Sequence, residues 1–159
     1  MPFNATDMLW PWLFPLAYLA HIAEEYWGGD GYSAYLSRTK GVDLTAARFL
    51  FMTGIGLALM IAGIPLARML GFPQLTMVIL GTVFVVNGLS HTISGALKAR
   101  YNPGLVTGLL IWIPLGLVTL VQLRGRMSAA RFLTAILIGV AIQGVVSLLS
   151  LRGGRLFRA

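Results

Sequence analysis

The chain has 159 residues, 57% of them hydrophobic and only 11% charged, with a net charge of +7 from 12 basic and 5 acidic side chains. A soluble domain carries about 25% charged residues, so this composition excludes an ordinary water-facing surface and points to burial in lipid. The lack of cysteine excludes disulfides, thiolate metal sites and cysteine nucleophiles. The basic residues are scattered between apolar runs, as interface anchors and topology signals are, and nucleic acid is not an expected partner.

Five apolar segments, about 8–27, 45–67, 74–97, 104–123 and 129–151, each approach the roughly 20 residues that a bilayer crossing needs. The expectation is an all-α, polytopic membrane helix bundle of about five transmembrane helices, forming one integral membrane domain over 1–159. No Lys or Arg precedes the first run, and Pro11 and Pro15 interrupt it, so it is expected to be retained rather than cleaved. The stretch GYSAYLSRTK, 31–40, is too short and polar to span. It reads as a loop anchored by tyrosines, or as a short interfacial helix with Tyr32, Tyr35 and Leu36 on one face, placed as a lid over a nearby site. Asp43, Asn102-Pro103 and Ser128 supply helix-start chemistry for the second, fourth and fifth spans. Gly104 and Gly108 stand in GxxxG spacing, which favours close helix packing.

Charge sets the expected orientation. Arg68, Arg124, Arg126 and Arg131 fall on the face that holds the N-terminus. Arg38, Lys40, Arg48, Lys98, Arg100, Arg152, Arg155 and Arg158 fall on the other. The positive-inside rule therefore places the N-terminus outside and the C-terminus in the cytoplasm, with a bacterial inner membrane as the expected location.

Two polar groups interrupt the apolar runs. In the first span, His21, Glu24 and Glu25 occupy positions i, i+3 and i+4 and share one side of a helix. In the third, NGLSHTIS places Asn87, Ser90, His91 and Ser94 at similar spacing. Both helices run in the same direction, and each histidine lies six residues before the end of its span, roughly 9 Å below the cytoplasmic boundary at 1.5 Å per residue. Ionisable groups in a membrane face a protein interior or a wet cavity, so the shared depth predicts a shared pocket. The plainer reading of the carboxylates is an interfacial pairing with Arg38, Lys40 or Arg48. Thr53, Tyr101, Trp112 and Gln143 are further candidates for the pocket lining. Thr53 and Gln143 read equally as interhelical hydrogen bonds, and Trp112 as packing or a contact to a lipophilic ligand.

At His21-Ile22-Ala23-Glu24-Glu25 the chain resembles the HXXEE family of small integral membrane proteins. The resemblance continues through the second histidine region and ARYNPGLVTGLL, 99–110, and so covers the first span through the fourth. It implies a multi-helix membrane fold with a shared polar site and supplies no reaction.

Two histidines and one carboxylate are the ligand set of mononuclear zinc hydrolases and iron(II) oxygenases. On this reading His21, His91 and one of Glu24 or Glu25 bind one divalent metal while the other glutamate acts as general base, with Glu25 favoured as ligand and Glu24 as base. Asn87 orients a ligand or polarises a lipophilic substrate. The rival is a metal-free acid–base isomerase or cyclase of a lipid or terpenoid. A proton-coupled transporter, for which a homo-oligomer would be expected, and a bis-histidine haem carrier remain further alternatives.

Overall fold

The computed structural model describes the backbone of residues 9–156 and the side chains of 9–152. The expected start at residue 8, and the side chains of Arg155 and Arg158, lie outside the described residues. Among the described residues all regular structure is helical. A 3₁₀ turn at Trp10–Trp12 carries Pro11 and leads into α1, Leu13–Trp27. The other helices are α2, Gly31–Lys40; α3, Ala46–Met69; α4, Pro73–Lys98; α5, Leu105–Leu123; and α6, Ala129–Leu156.

Local chemistry explains the boundaries. The segment 31–40 is a helix, with Leu36 buried against Leu44 and Phe49. The N-cap of α3 is Thr45 rather than Asp43, because its hydroxyl accepts the Arg48 amide at 3.3 Å. Pro73 opens α4 in the first helical turn, where a missing N–H costs nothing. Ser128 accepts the Arg131 amide at 3.4 Å ahead of α6, as a capping residue does.

Four helices, α3 to α6, are long and apolar enough to cross a bilayer, and the protein is an integral membrane protein. The segment expected as the first crossing is shorter. α1 has 15 residues, roughly 22 Å at 1.5 Å per residue. α4 is the central helix, with 39% of its most apolar window buried against 17% for α3 and α6. The outer helices turn residues such as Leu59, Val121 and Leu137 outward, as lipid-facing surfaces require.

α4 and α5 approach each other on small residues. A Cβ on Gly88 would fall 2.7 Å from the Gly108 carbonyl oxygen, so only glycine permits this crossing. α1 lies along α5 in the opposite direction. Trp10 Nε1 donates to Thr119 Oγ1 at one end, and the Trp112 indole donates to the Ala17 carbonyl midway, each at 3.0 Å. Beneath these bonds Phe14, Ala17, Met60, Ile64, Met77, Phe84 and Trp112 form the apolar core. The C-terminal ends of α1 and α4 and the N-terminal end of α5 therefore meet at one end of the bundle.

Candidate metal centre

His21, Glu25 and His91 are brought together where those three helix ends meet. All three are buried, with 1%, 7% and 7% of their surface exposed. Glu25 Oε1 lies 3.4 Å from His91 Nε2 and 3.8 Å from His21 Nε2. The imidazole rings stand edge to face with centres 5.1 Å apart.

Each imidazole is held from behind by its Nδ1. The Asn102 amide donates to the His91 carbonyl at 2.8 Å, which turns its Oδ1 toward His91 Nδ1, also at 2.8 Å. Nδ1 must then carry the hydrogen. His21 Nδ1 lies 2.7 Å from Thr107 Oγ1, whose own hydrogen goes to Glu24 Oε2. The Thr107 oxygen thus accepts from His21 Nδ1–H. In both rings the hydrogen sits on the outer nitrogen and Nε2 faces Glu25. His21 Nε2 is fully buried and has no hydrogen-bond partner among the described residues.

Three possible ligand atoms thereby converge, each within 4.8 Å of the others. A buried carboxylate beside two neutral imidazoles is unfavourable by several kcal/mol unless a metal ion or a proton on one ring offsets it. Metal–nitrogen and metal–oxygen bonds of 2.0–2.2 Å at tetrahedral angles separate neighbouring ligand atoms by about 3.4 Å. The His91–Glu25 contact of 3.4 Å matches that spacing. The His21–Glu25 contact of 3.8 Å is longer, and with the group spread over as much as 4.8 Å the ligands would draw together around an ion.

Glu24 points elsewhere. Its Oε1 accepts from the Val106 amide at 2.9 Å and the Tyr101 hydroxyl at 3.0 Å, and its Oε2 from the Thr107 amide at 2.7 Å and the Thr107 hydroxyl. These amides belong to the first turn of α5, where N–H groups lack helical partners and the helix dipole favours negative charge. The carboxylate is saturated with donors and caps α5 from a neighbouring helix. Tyr101, between the spans, has its phenol pushed up to about 12, first by burial and then by its bond to Glu24 and the charge there.

Close approach of α5 depends on Gly104. Its φ is +94°, and a Cβ there would fall 2.7 Å from His91 Cε1 and 2.9 Å from His21 Cε1. A side chain would collide with both rings and strain the backbone. Four residues on, one π turn over Gly108–Trp112 widens α5, a departure frequent at functional sites. Trp112 lies against His21 with ring centres 4.0 Å apart and stacks on Phe84 at 3.9 Å.

The remaining candidates divide. Asn87 lies close beside His21, with its buried Oδ1 making no hydrogen bond of ordinary geometry among the described residues. Ser94 bonds Tyr35 of α2 at 3.0 Å. Ser90 is exposed and donates to Val86 in its own helix. Thr53 likewise spends its hydroxyl on Phe49 and Leu50 of α3. Gln143 is buried, but its recorded bond is to Ser147 within α6 at 3.4 Å. Ser90, Thr53 and Gln143 thus make their bonds within their own helices, and neither Thr53 nor Gln143 forms an interhelical hydrogen bond among those seen here. Of the cations considered as interfacial partners of the glutamates, Arg38 pairs with Asp30. Asn102, Gly104 and Thr107 complete the surroundings without any signal in the spacing of the polar residues, and Tyr32, on the face expected of a lid, stands beside His91. The helix-start role expected of Asn102 falls to Gly104, the N-cap of α5.

The family model described as "Protein of unknown function with HXXEE motif" matches residues 12–119. The chain belongs to the HXXEE family. Its motif residues are the His21, Glu24 and Glu25 of this centre, and the matched region runs from α1 into α5. It ends before α6, from which none of the described side chains is seen around the centre. No curated protein and no solved structure matches the chain.

Proposed function

We propose that this HXXEE protein is a membrane-embedded, metal-dependent enzyme acting on a lipophilic substrate, with His21, His91 and Glu25 as ligands of one zinc or iron(II) ion. The observation that carries this reading is the convergence of two Nε2 atoms on Glu25 Oε1, with both outer nitrogens committed to hydrogen bonds. Ligating histidines are characteristically held in this way by an acceptor on the far nitrogen. Three protein ligands leave positions open for water, dioxygen or substrate, as catalytic sites do. A metal there would polarise a bound group or activate water.

Roles follow from contacts. Asn87, with its free carbonyl oxygen, orients whatever binds beside His21. Glu24 and Asn102 position the two histidines. General base chemistry by Glu24 fits poorly, since four donors already occupy its oxygens. The second reading, a metal-free acid–base isomerase or cyclase, rests on the 3.4 Å His91–Glu25 contact, which suits a shared proton as well as a metal. Metal analysis of the purified protein separates the two: one zinc or iron per chain supports the first, and a protein that neither retains nor takes up metal supports the second.

We also infer that α1 crosses the bilayer, making five spans, with the C-terminus in the cytoplasm of a bacterial inner membrane. Supporting this, α1 with its 3₁₀ turn runs beside α5 from the level of Glu24 and Val106 to that of Trp10 and Thr119. Thr119 is four residues from the far end of α5. The excess of basic residues on the face holding Lys98 and Arg100 sets the orientation.

A further inference from the structure

Along α4, Asn87, His91, Ser94 and Lys98 recur at i, i+4, i+7 and i+11, close to one line of a helix. A polar track thus leads from the His/Glu centre to the end of the span. Lys98 is seven residues beyond His91, roughly 10 Å at 1.5 Å per residue.

α2 lies over this track. The Tyr32 ring stands 5.8 Å from His91. The Tyr35 hydroxyl lies 3.0 Å from Ser94 Oγ, and Lys98 Nζ donates to it at 3.1 Å while sitting 5.1 Å from the ring centre. Either hydroxyl can donate in the Tyr35–Ser94 bond. The ammonium hydrogens not given to Tyr35 are available to an acceptor, and so is the Ser94 hydrogen when Tyr35 is the donor. Burial has the largest effect on the Tyr35 phenol and raises it. The bonds to Ser94 and Lys98 and the fields of Lys98 and Lys40 outweigh burial and hold it below its ordinary value. Acids nearby are engaged or distant from this role: Asp30 pairs with Arg38, Glu24 caps α5, Glu25 belongs to the centre, and Asp43 is exposed in the connection to α3.

We propose that Lys98, with Ser94 and Tyr35, is a head-group subsite for an amphiphile bearing one anionic head, a carboxylate or a phosphate, whose chain runs beneath α2 to the His/Glu centre. The reacting position along that chain rests on the metal-enzyme reading; the subsite itself does not. An extended chain advances about 1.2 Å per bond, as an extended backbone does. The centre would then face roughly the eighth or ninth atom from the head. In the free protein Tyr35 holds the ammonium that the head group takes over.

The test uses the full chain in neutral detergent and the fluorescence of Trp112, which bromine quenches on contact. The probes are 9,10-dibromostearate, its methyl ester, and a lysophosphatidic acid carrying the same chain. The expected result is saturable loss of the component that Trp112→Phe lacks, with at least tenfold weaker binding for the ester and for Lys98→Met, and recovery in Lys98→Arg. Whichever acid binds more tightly identifies the head as carboxylate or phosphate. Equal quenching by acid and ester, or an unchanged affinity in Lys98→Met, would overturn the subsite and leave Lys98 and Tyr35 as a brace for α2. Metal content measured on the same samples keeps this outcome separate from a failure of the metal reading.

Discussion

Glu24 grips Thr107 twice, accepting both its amide at 2.7 Å and its hydroxyl. Because that hydroxyl in turn accepts from His21 Nδ1, one carboxylate both caps α5 and sets the tautomer of a histidine on its own helix. The adjacent glutamates of the motif therefore divide their work by direction. One turns toward α5 and the other toward α4, as the roughly 100° between neighbouring helical residues requires.

Glu25→Gln and Glu24→Gln should separate in metal content. Glu25→Gln removes a ligand and should abolish stoichiometric metal. Glu24→Gln keeps the three ligands but weakens the cap, so metal affinity should fall about 10- to 100-fold, as for outer-shell partners elsewhere. Stability should fall by about 1–3 kcal/mol, the cost of losing hydrogen bonds to a charged acceptor. Elemental analysis after dialysis, paired with thermal unfolding in detergent, reads both. Equal metal loss in the two variants would contradict the division.

Asn102→Ala should act on His91 alone. It frees the Nδ1 that Asn102 now holds at 2.8 Å and lets the ring adopt the wrong tautomer. Metal affinity should drop by about 10- to 100-fold, and NMR of labelled imidazole nitrogens should show His91 sampling both tautomers while His21 stays fixed.

Gly104→Ala should disrupt the centre without touching a ligand. Its Cβ would meet both imidazoles, and φ of +94° is strained for alanine. A loss of about 1–3 kcal/mol follows from the backbone alone, together with loss of bound metal. Normal metal content and unchanged unfolding would show that α5 approaches less closely than described.

Tyr101 offers a pH test of the Glu24 cap. Its phenol is raised from the ordinary 10.0 to about 12. A raised acid contributes stability that is present in full below its unfolded value and lost as pH climbs through its folded value. The Tyr101 contribution should therefore hold up to about pH 10 and disappear between about 10 and 12. The ultraviolet difference titration of wild type against Tyr101→Phe should show the late phenol, and Glu24→Gln should move it back toward 10.

Much of this was legible in the sequence, for identifiable reasons. Apolar runs mark the four long helices because lipid demands them, and the two histidines share a depth because two parallel helices count residues alike. The short helix α2 was ambiguous because its composition is polar. Its Leu36 is buried only through contact with the distant Leu44 and Phe49. The roles of Asn102, Gly104 and Thr107 were hidden because they depend on where α5 starts against α1 and α4. The stretch ARYNPGLVTGLL held the available signal, an asparagine and a glycine framing a turn. The π turn over Gly108–Trp112 has no periodicity to betray it. Ser90 fits the spacing, and Thr53 and Gln143 the depth, of the pocket, yet all three make their bonds within their own helices, Ser90 and Thr53 because hydroxyls in apolar helices readily return to the preceding turn.

The orientation is tested by a C-terminal fusion to a reporter active only outside the cytoplasm. It should be silent, while the same reporter inserted in the connection 124–128 should be active. The reverse pattern would reject the assignment, and activity at both positions would contradict a crossing by α6.

The central claim, that His21, Glu25 and His91 hold a metal ion, is tested most directly by elemental analysis of the protein purified without chelators. The expected result is one zinc or iron per chain, lost in Glu25→Gln and His91→Ala and retained in Ser90→Ala, whose hydroxyl stays within α4. A protein that carries no metal and takes up neither zinc nor iron(II) on titration, or whose metal survives both ligand substitutions, would contradict it.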